Sequence, residues 1–289
     1  MKSKIIAAIL SLLCAGTALA ALPPRGKLVT DTIHSKILGT DRLMTIYLPG
    51  NYQQDKQNGL PVLYLLHGME ANHTSWFKET QAKGPIDRIF TSGQATPMVI
   101  VSPDAGGYDP SKEQNGYFNI PGWKYEDFFF NELIPFVEEK YGCGGSKDKR
   151  AIAGLSMGGG GATGLAQHRP DMFSSSYAMS ALMSLPDSRK IPADPDNKIG
   201  KLYRSVVEND CVDYVKNADD STRDALRTVN WFVDCGDDDF LLDGNIDYVR
   251  AMKAAKIPVE FRVREGDHSH EYWHTALYYA LPFASRNFK

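Results

Sequence analysis

The sequence predicts an α/β fold, with a mostly parallel central sheet, helices on both faces and a small inserted cap. Three observations predict it. Residues 60–66 and 98–101 are nearly continuous apolar runs that end in loops, as buried parallel strands do. Segments with apolar residues at helical spacing alternate with such runs. Residues 150–153 read as a strand that enters Gly154 and then a glycine-rich helix over 158–168.

The elements follow in order. Thr40–Leu48 alternates polar and apolar and stops at Pro49-Gly50, as an early strand does. After the two apolar runs, residues 127–141 place Phe129, Leu133, Phe136 and Val137 on one helical face. Gly142 follows at the position where a helix ends. The helix over 158–168 is stopped near Pro170. Residues 173–179, 229–233 and 259–263 supply three further strands, and 245–256 a helix. Residues 182–228 break the rhythm. They are polar, carry Pro186, Pro192 and Pro195, and have the length of a helical cap inserted into a single domain over 21–289. A surface excursion with no role in binding fits them equally well.

Residues 1–20 read as an address. Lys2 and Lys4 precede an apolar core over 5–13, and Ala18-Leu19-Ala20 is a small-x-small cleavage pattern. Cleavage near Ala20 predicts a secreted or periplasmic protein. The apolar run is too short to span a bilayer, and no later one is long enough. The formal net charge of -3 supplies no field for nucleic acid. Cys143, Cys211 and Cys235 allow one disulfide or three buried thiols.

The chemistry lies in three loops. Gly154, Ser156 and Gly158 form a G-x-S-x-G elbow, a sharp strand-to-helix turn that lifts the serine above the sheet. A serine nucleophile needs a base, and the base an orienting acid. The strand over 229–233 leads into Asp237, Asp238 and Asp239, and the strand over 259–263 into His268 and His270, which is the order Ser, Asp, His. The oxyanion needs two backbone N–H donors. Met157 after the serine and Met69 after His67-Gly68 are placed for that. A metal reading would gather His268, His270 and His274 with His67 or His73, but leaves the elbow unexplained. An EF-hand frame on the aspartates fails at Leu242.

With these residues in hand, the chain resembles the esterase family of α/β-hydrolases that includes the feruloyl and acetylxylan esterases of carbohydrate esterase family one. S-formylglutathione hydrolases and mycolyltransferases are related. The matching stretches are 63–68, 122–128, 153–159, 235–241 and 266–268. The resemblance implies that Ser156 is the nucleophile and His268 the base. It implies that Asp239, just before Phe240-Leu241, is the acid, with Asp238 second. Trp273, five residues after His268, fits the family frame, while His270 stands where the family often has tryptophan. His67, Trp123, His270 and Trp273 are candidates for the substrate pocket, though core packing suits each aromatic taken singly. The implied activity is hydrolysis of a small ester or an acylated polysaccharide, with no metal or organic cofactor. The alternatives are an esterase on a siderophore ester or thioester, and a carbohydrate-binding protein that kept the fold and lost catalysis.

Overall fold

The computed structural model describes residues 24–105, 116–185, 194 and 197–289. The predicted address and the prolines Pro186, Pro192 and Pro195 lie outside the described residues. The strands are β1 (Lys27–Ser35), β2 (Thr40–Leu48), β3 (Val62–Leu66), β4 (Val99–Pro103), β5 (Asn119–Ile120), β6 (Trp123–Lys124), β7 (Arg150–Leu155), β8 (Ser175–Met179), β9 (Asn230–Gly236) and β10 (Glu260–Arg264). Eight of them form one sheet in the order β1-β2-β4-β3-β7-β8-β9-β10, and β5 pairs with β6 apart from it. β2 is antiparallel to β1 and β4, and from β4 to β10 every pair is parallel. The α/β reading therefore holds.

The chain passes from β3 outward to β4, then returns to place β7 on the other side of β3. Such a switch point opens a crevice at the carboxyl ends of the strands, where ligands bind in open α/β sheets. The loops after β3 and β7 meet there.

The helices are α1 (Lys83–Thr91), α2 (Ile134–Tyr141), α3 (Met157–His168), α4 (Lys198–Glu208), α5 (Cys211–Lys216), α6 (Asp220–Leu226), α7 (Leu242–Ala254) and α8 (His270–Arg286). Gly142 ends α2 at φ 59°, the left-handed turn that the sequence placed there. Strand β3 shows why both faces are covered. Val62, Tyr64 and Leu66 join one core cluster, while Leu63 and Leu65 join the other across the sheet. Helix α8 seals the second cluster with Trp273, Ala276, Leu277, Ala280, Leu281 and Ala284, a stripe at spacings of three and four. Burying a side chain of leucine size contributes about 2 kcal/mol, so this stripe anchors the helix that follows His268.

The described part of 182–228 carries α4, α5 and α6. Leu202, Val206, Cys211, Val212, Val215 and Leu226 are buried in the core cluster shared with the sheet. Apolar anchors of this kind hold these helices to the body of the domain. Cys143, Cys211 and Cys235 are free and buried, so none is disulfide-bonded. No helix among the described residues is long and apolar enough to cross a membrane.

Candidate active site

Ser156 stands between β7 and α3 at φ 54° and ψ -121°, a conformation that costs an L residue about 1–3 kcal/mol. Neighbouring backbone holds it there. Its N–H donates to the Met179 carbonyl at 2.9 Å, and its own carbonyl accepts from Leu182 at 2.9 Å and Gly159 at 3.0 Å. The flanking glycines are required by contact. A Cβ on Gly158 would lie 2.5 Å from the Leu66 and His67 carbonyl oxygens, and one on Gly68 would lie 2.9 Å from Leu155 and 3.5 Å from the Ser156 Cβ. The loop after β3 is thus pressed against the elbow.

A hydrogen-bonded chain runs from the serine. Ser156 Oγ lies 2.9 Å from His268 Nε2, and His268 Nδ1 lies 2.9 Å from Asp239 Oδ2 and 3.1 Å from Oδ1. Three loops of very different chain position converge on these atoms. Asp239 Oδ1 also accepts the Leu241 N–H at 2.8 Å. Burial pushes the Asp239 carboxyl up, but hydrogen bonds from His268, the Leu241 N–H and Ser180 outweigh it and hold the carboxyl below its ordinary value. An ionised Asp239 facing Nδ1 favours the tautomer with Nδ1–H, which leaves Nε2 free to accept the serine proton.

The three aspartates separate by environment. Asp237 is an exposed loop acid that accepts the Gly266 N–H at 2.9 Å, and Asp238 is exposed. Only Asp239 is buried, 5% exposed, and faces His268. The aspartate that faces His268 is the first choice from the sequence.

A cavity of about 250 Å³ opens at Ser156, lined by His67, Gly68, Met69, Trp76, Leu155, Phe240, His268, His270 and Trp273 among others. Met69 is here, on the loop beside the serine. Met157 begins α3, where a helix leaves its first N–H groups without intrahelical partners. His67 lines the cavity with both ring nitrogens engaged. Nε2 accepts the Ala105 N–H at 3.1 Å, so Nδ1 carries the proton and donates to the Gly68 carbonyl at 2.8 Å. Its work is to shape the loop. His270 Nδ1 pairs with Thr80 Oγ1 at 2.8 Å, and Trp273 sets its ring edge-on to both His268 and His270. Trp123 is not in the cavity lining. It lies under the Arg42 guanidinium at 5.2 Å, held by the β5–β6 hairpin. Among the described residues no three His, Cys, Asp or Glu are grouped so as to hold a metal ion. His274 Nδ1 instead donates to the Thr80 carbonyl at 2.8 Å.

Two participants escaped the sequence reading. Ser180 hydrogen-bonds Asp239 and accepts the Trp273 indole N–H at 3.1 Å, which joins the acid to the cavity wall. Thr80 holds both His270 and His274. Neither sits in a motif, and only the tertiary fold brings them in.

Comparison with known proteins shows the family. The Esterase family model ("Putative esterase") matches residues 35–284. The chain belongs to this esterase family. Its fold is that of the α/β-hydrolases, and it is a serine carboxylic-ester hydrolase by family. A solved ferulic acid esterase is 52% identical with a TM-score of 0.87, and the match covers 92% of this chain and 99% of that one. An endo-1,4-beta-xylanase/feruloyl esterase of Xylanibacter ruminicola is 28% identical over 257 residues, 87% of this chain. The esterase spans 30% of the length of that longer relative. An acetyl esterase of Caldicellulosiruptor saccharolyticus is 26% identical over 271 residues, 88% of this chain and 96% of the relative.

Proposed function

We propose that this esterase is secreted and removes feruloyl or acetyl groups from plant polysaccharide through an acyl-enzyme on Ser156. The observation that carries the proposal is the Ser156–His268–Asp239 chain at the mouth of a small cavity walled by Trp76, Phe240 and Trp273. The protein's similarity to a ferulic acid esterase, a xylanase/feruloyl esterase and an acetyl esterase supports the substrate class.

In this mechanism His268 Nε2 takes the Ser156 proton as Oγ attacks the ester carbonyl, and then gives it to the departing alcohol oxygen. Asp239 holds the ring and stabilises the imidazolium that forms. The N–H groups of Met157 and Met69 receive the developing oxyanion, where loss of one donor costs about 3 kcal/mol of transition-state stabilisation. Water, activated by His268, then releases the acid. No step requires a metal or organic cofactor. Ser156, Asp239 and His268 stand complete, which favours catalysis over the binding-protein alternative. Export rests on residues 1–20, and Ala21 would begin the mature chain.

The test uses residues 21–289 and the Ser156→Ala variant with p-nitrophenyl acetate, p-nitrophenyl butyrate, methyl ferulate and acetylated xylan. Serine-dependent release from ferulate or xylan is the expected result. Cleavage of only the nitrophenyl esters would reopen the substrate class, including siderophore esters and thioesters. Turnover that survives Ser156→Ala would overturn the mechanism.

A further inference from the structure

Phe240 is the most exposed of the large hydrophobic side chains recorded as exposed among the described residues, at 69%. It is also the residue directly after Asp239. Its ring lies 4.5 Å from the His268 ring, tilted by 47°. It lines the cavity at Ser156 on one side and a separate groove of about 450 Å³ on the other. Ser184, Leu185, Asp213, Asp243 and Asp247 also line that groove.

The exposure is not slackness. The turn that carries Phe240 is tied at both ends. The Leu241 N–H donates to Asp239 Oδ1 at 2.8 Å, and Asn245 Nδ2 donates to the Leu241 carbonyl at 2.8 Å and to the Ala181 carbonyl at 2.9 Å. The Ala181 N–H returns a bond to Asn245 Oδ1 at 3.2 Å. A large ring is therefore held out in water by a fixed backbone. Such an arrangement wastes apolar surface unless something covers it, and a pre-set ring loses little entropy when that happens.

Size decides what covers it. A cavity of about 250 Å³ falls below the roughly 300–1,000 Å³ of sites that enclose a drug-sized ligand. It holds an acyl group and excludes a polysaccharide chain, so the alcohol half of the substrate lies outside. The leaving oxygen must come within hydrogen-bond reach of His268 Nε2 to be protonated. The apolar surface that adjoins the imidazole at the groove is the Phe240 ring. A sugar has C–H faces that lie on an aromatic ring, and hydroxyls that donate to carboxylates such as Asp213, Asp243 and Asp247.

We propose that Phe240 is a specificity-determining residue, the platform for the first sugar of the leaving alcohol, with the groove beyond it receiving the continuing carbohydrate chain. This inference rests on the polysaccharide-esterase reading above. The test compares kcat/KM on a feruloylated arabinoxylan oligosaccharide with kcat/KM on methyl ferulate, which share an acyl group and differ only in the alcohol. An acetylated xylo-oligosaccharide and p-nitrophenyl acetate form the parallel pair. Phe240→Ala should lower the oligosaccharide-to-small-ester ratio about tenfold, mainly through KM, and Phe240→Tyr should restore it to within about twofold. The ratio matters because Phe240 also touches His268 and any general damage divides out. An unchanged ratio in Phe240→Ala, in an enzyme that cleaves the oligosaccharide, overturns this proposal alone. A wild-type enzyme that cleaves the small esters but neither oligosaccharide overturns the polysaccharide reading and this proposal with it.

Discussion

Two buried carboxylates stand five residues apart, at Asp234 and Asp239, and they live in opposite surroundings. Asp234, on β9 and 0% exposed, accepts hydrogen bonds from Tyr177 Oη at 2.7 Å and Tyr272 Oη at 2.5 Å. Arg264 approaches at 3.3 Å and Arg262 at 3.5 Å. Both oxygens face tyrosine hydroxyls and arginine side chains, and none of these partners leads to the serine. It fastens α8, through Tyr272, to β8 and β10. Asp239 faces a histidine instead, and that histidine reaches Ser156 Oγ. The comparison shows that burial does not make a carboxylate functional. The partner does.

Four substitutions and one labelling rate test that contrast. His268→Ala should cut kcat by roughly 10⁴-fold, as loss of a general base does. His270→Ala should cost less than about tenfold, because His270 reaches the cavity wall and not Ser156. Steady-state kinetics on p-nitrophenyl acetate decides, and the reverse order would move the base role to His270. Asp239→Asn should lower kcat by roughly 10³- to 10⁴-fold with the fold intact by circular dichroism. Its effect on stability has a definite sign. The folded carboxyl is held below its ordinary value, so its contribution is complete above the unfolded value near pH 4 and is lost as pH falls through the lower folded value. Unfolding measured between about pH 2 and 6 should show a weaker acid dependence in Asp239→Asn than in wild type. A steeper one contradicts the stated electrostatics.

Asp234→Asn should invert the pattern. It removes the charge from a buried site faced by two arginines, and should destabilise the fold by about 2–3 kcal/mol while kcat changes less than about fivefold. A denaturant titration with m unchanged checks the first part. A variant that keeps its stability and loses activity would make the two carboxylates alike. The smallest effect is a labelling rate. Burial pushes the thiols of Cys143, Cys211 and Cys235 up. A thiol reagent at pH 8 should leave them unmodified in the folded protein and titrate all three once it is unfolded. Rapid labelling of the native protein would show that one of them is accessible.

The site was more legible than the scaffold around it. Gly154, Ser156 and Gly158 stand out because a turn that must admit two backbones restricts its own residues. The loops that carry the aspartates and histidines could be placed because strand ends follow one another in a fixed order, and the family resemblance pointed to Asp239 and His268 within them. Strand β1 escaped notice since its faces are mostly wet, with Lys27, Asp31 and His34 breaking any apolar run. Helix α8 was missed although its buried stripe is regular, because His270 and His274 drew the reading toward chemistry. Trp123 was a pocket candidate with core packing as its alternative, and its partner, Arg42, lies 81 positions earlier in the chain. For 182–228 length and polarity left a cap and a surface excursion equally open, and they do not reveal that Leu202, Cys211 and Val215 are buried in the core.

The elbow's helix has a further consequence, for the order in which the molecule comes apart. Residues 158–161 are four consecutive buried glycines at the start of α3. Each is pressed close on something beyond its own helix, such as Ala181 at Gly159, the Leu182 carbonyl at Gly160 and the Tyr117 ring at Gly161. A glycine inside a helix costs about 1 kcal/mol relative to alanine, so this turn has little intrinsic tendency to form and exists because its neighbours clamp it. Loosening those neighbours with heat or mild denaturant releases the turn, and Ser156 with it, before the sheet melts. Loss of esterase turnover should therefore precede the loss of far-ultraviolet dichroism, and during folding the reactive serine should be among the last atoms to find its place.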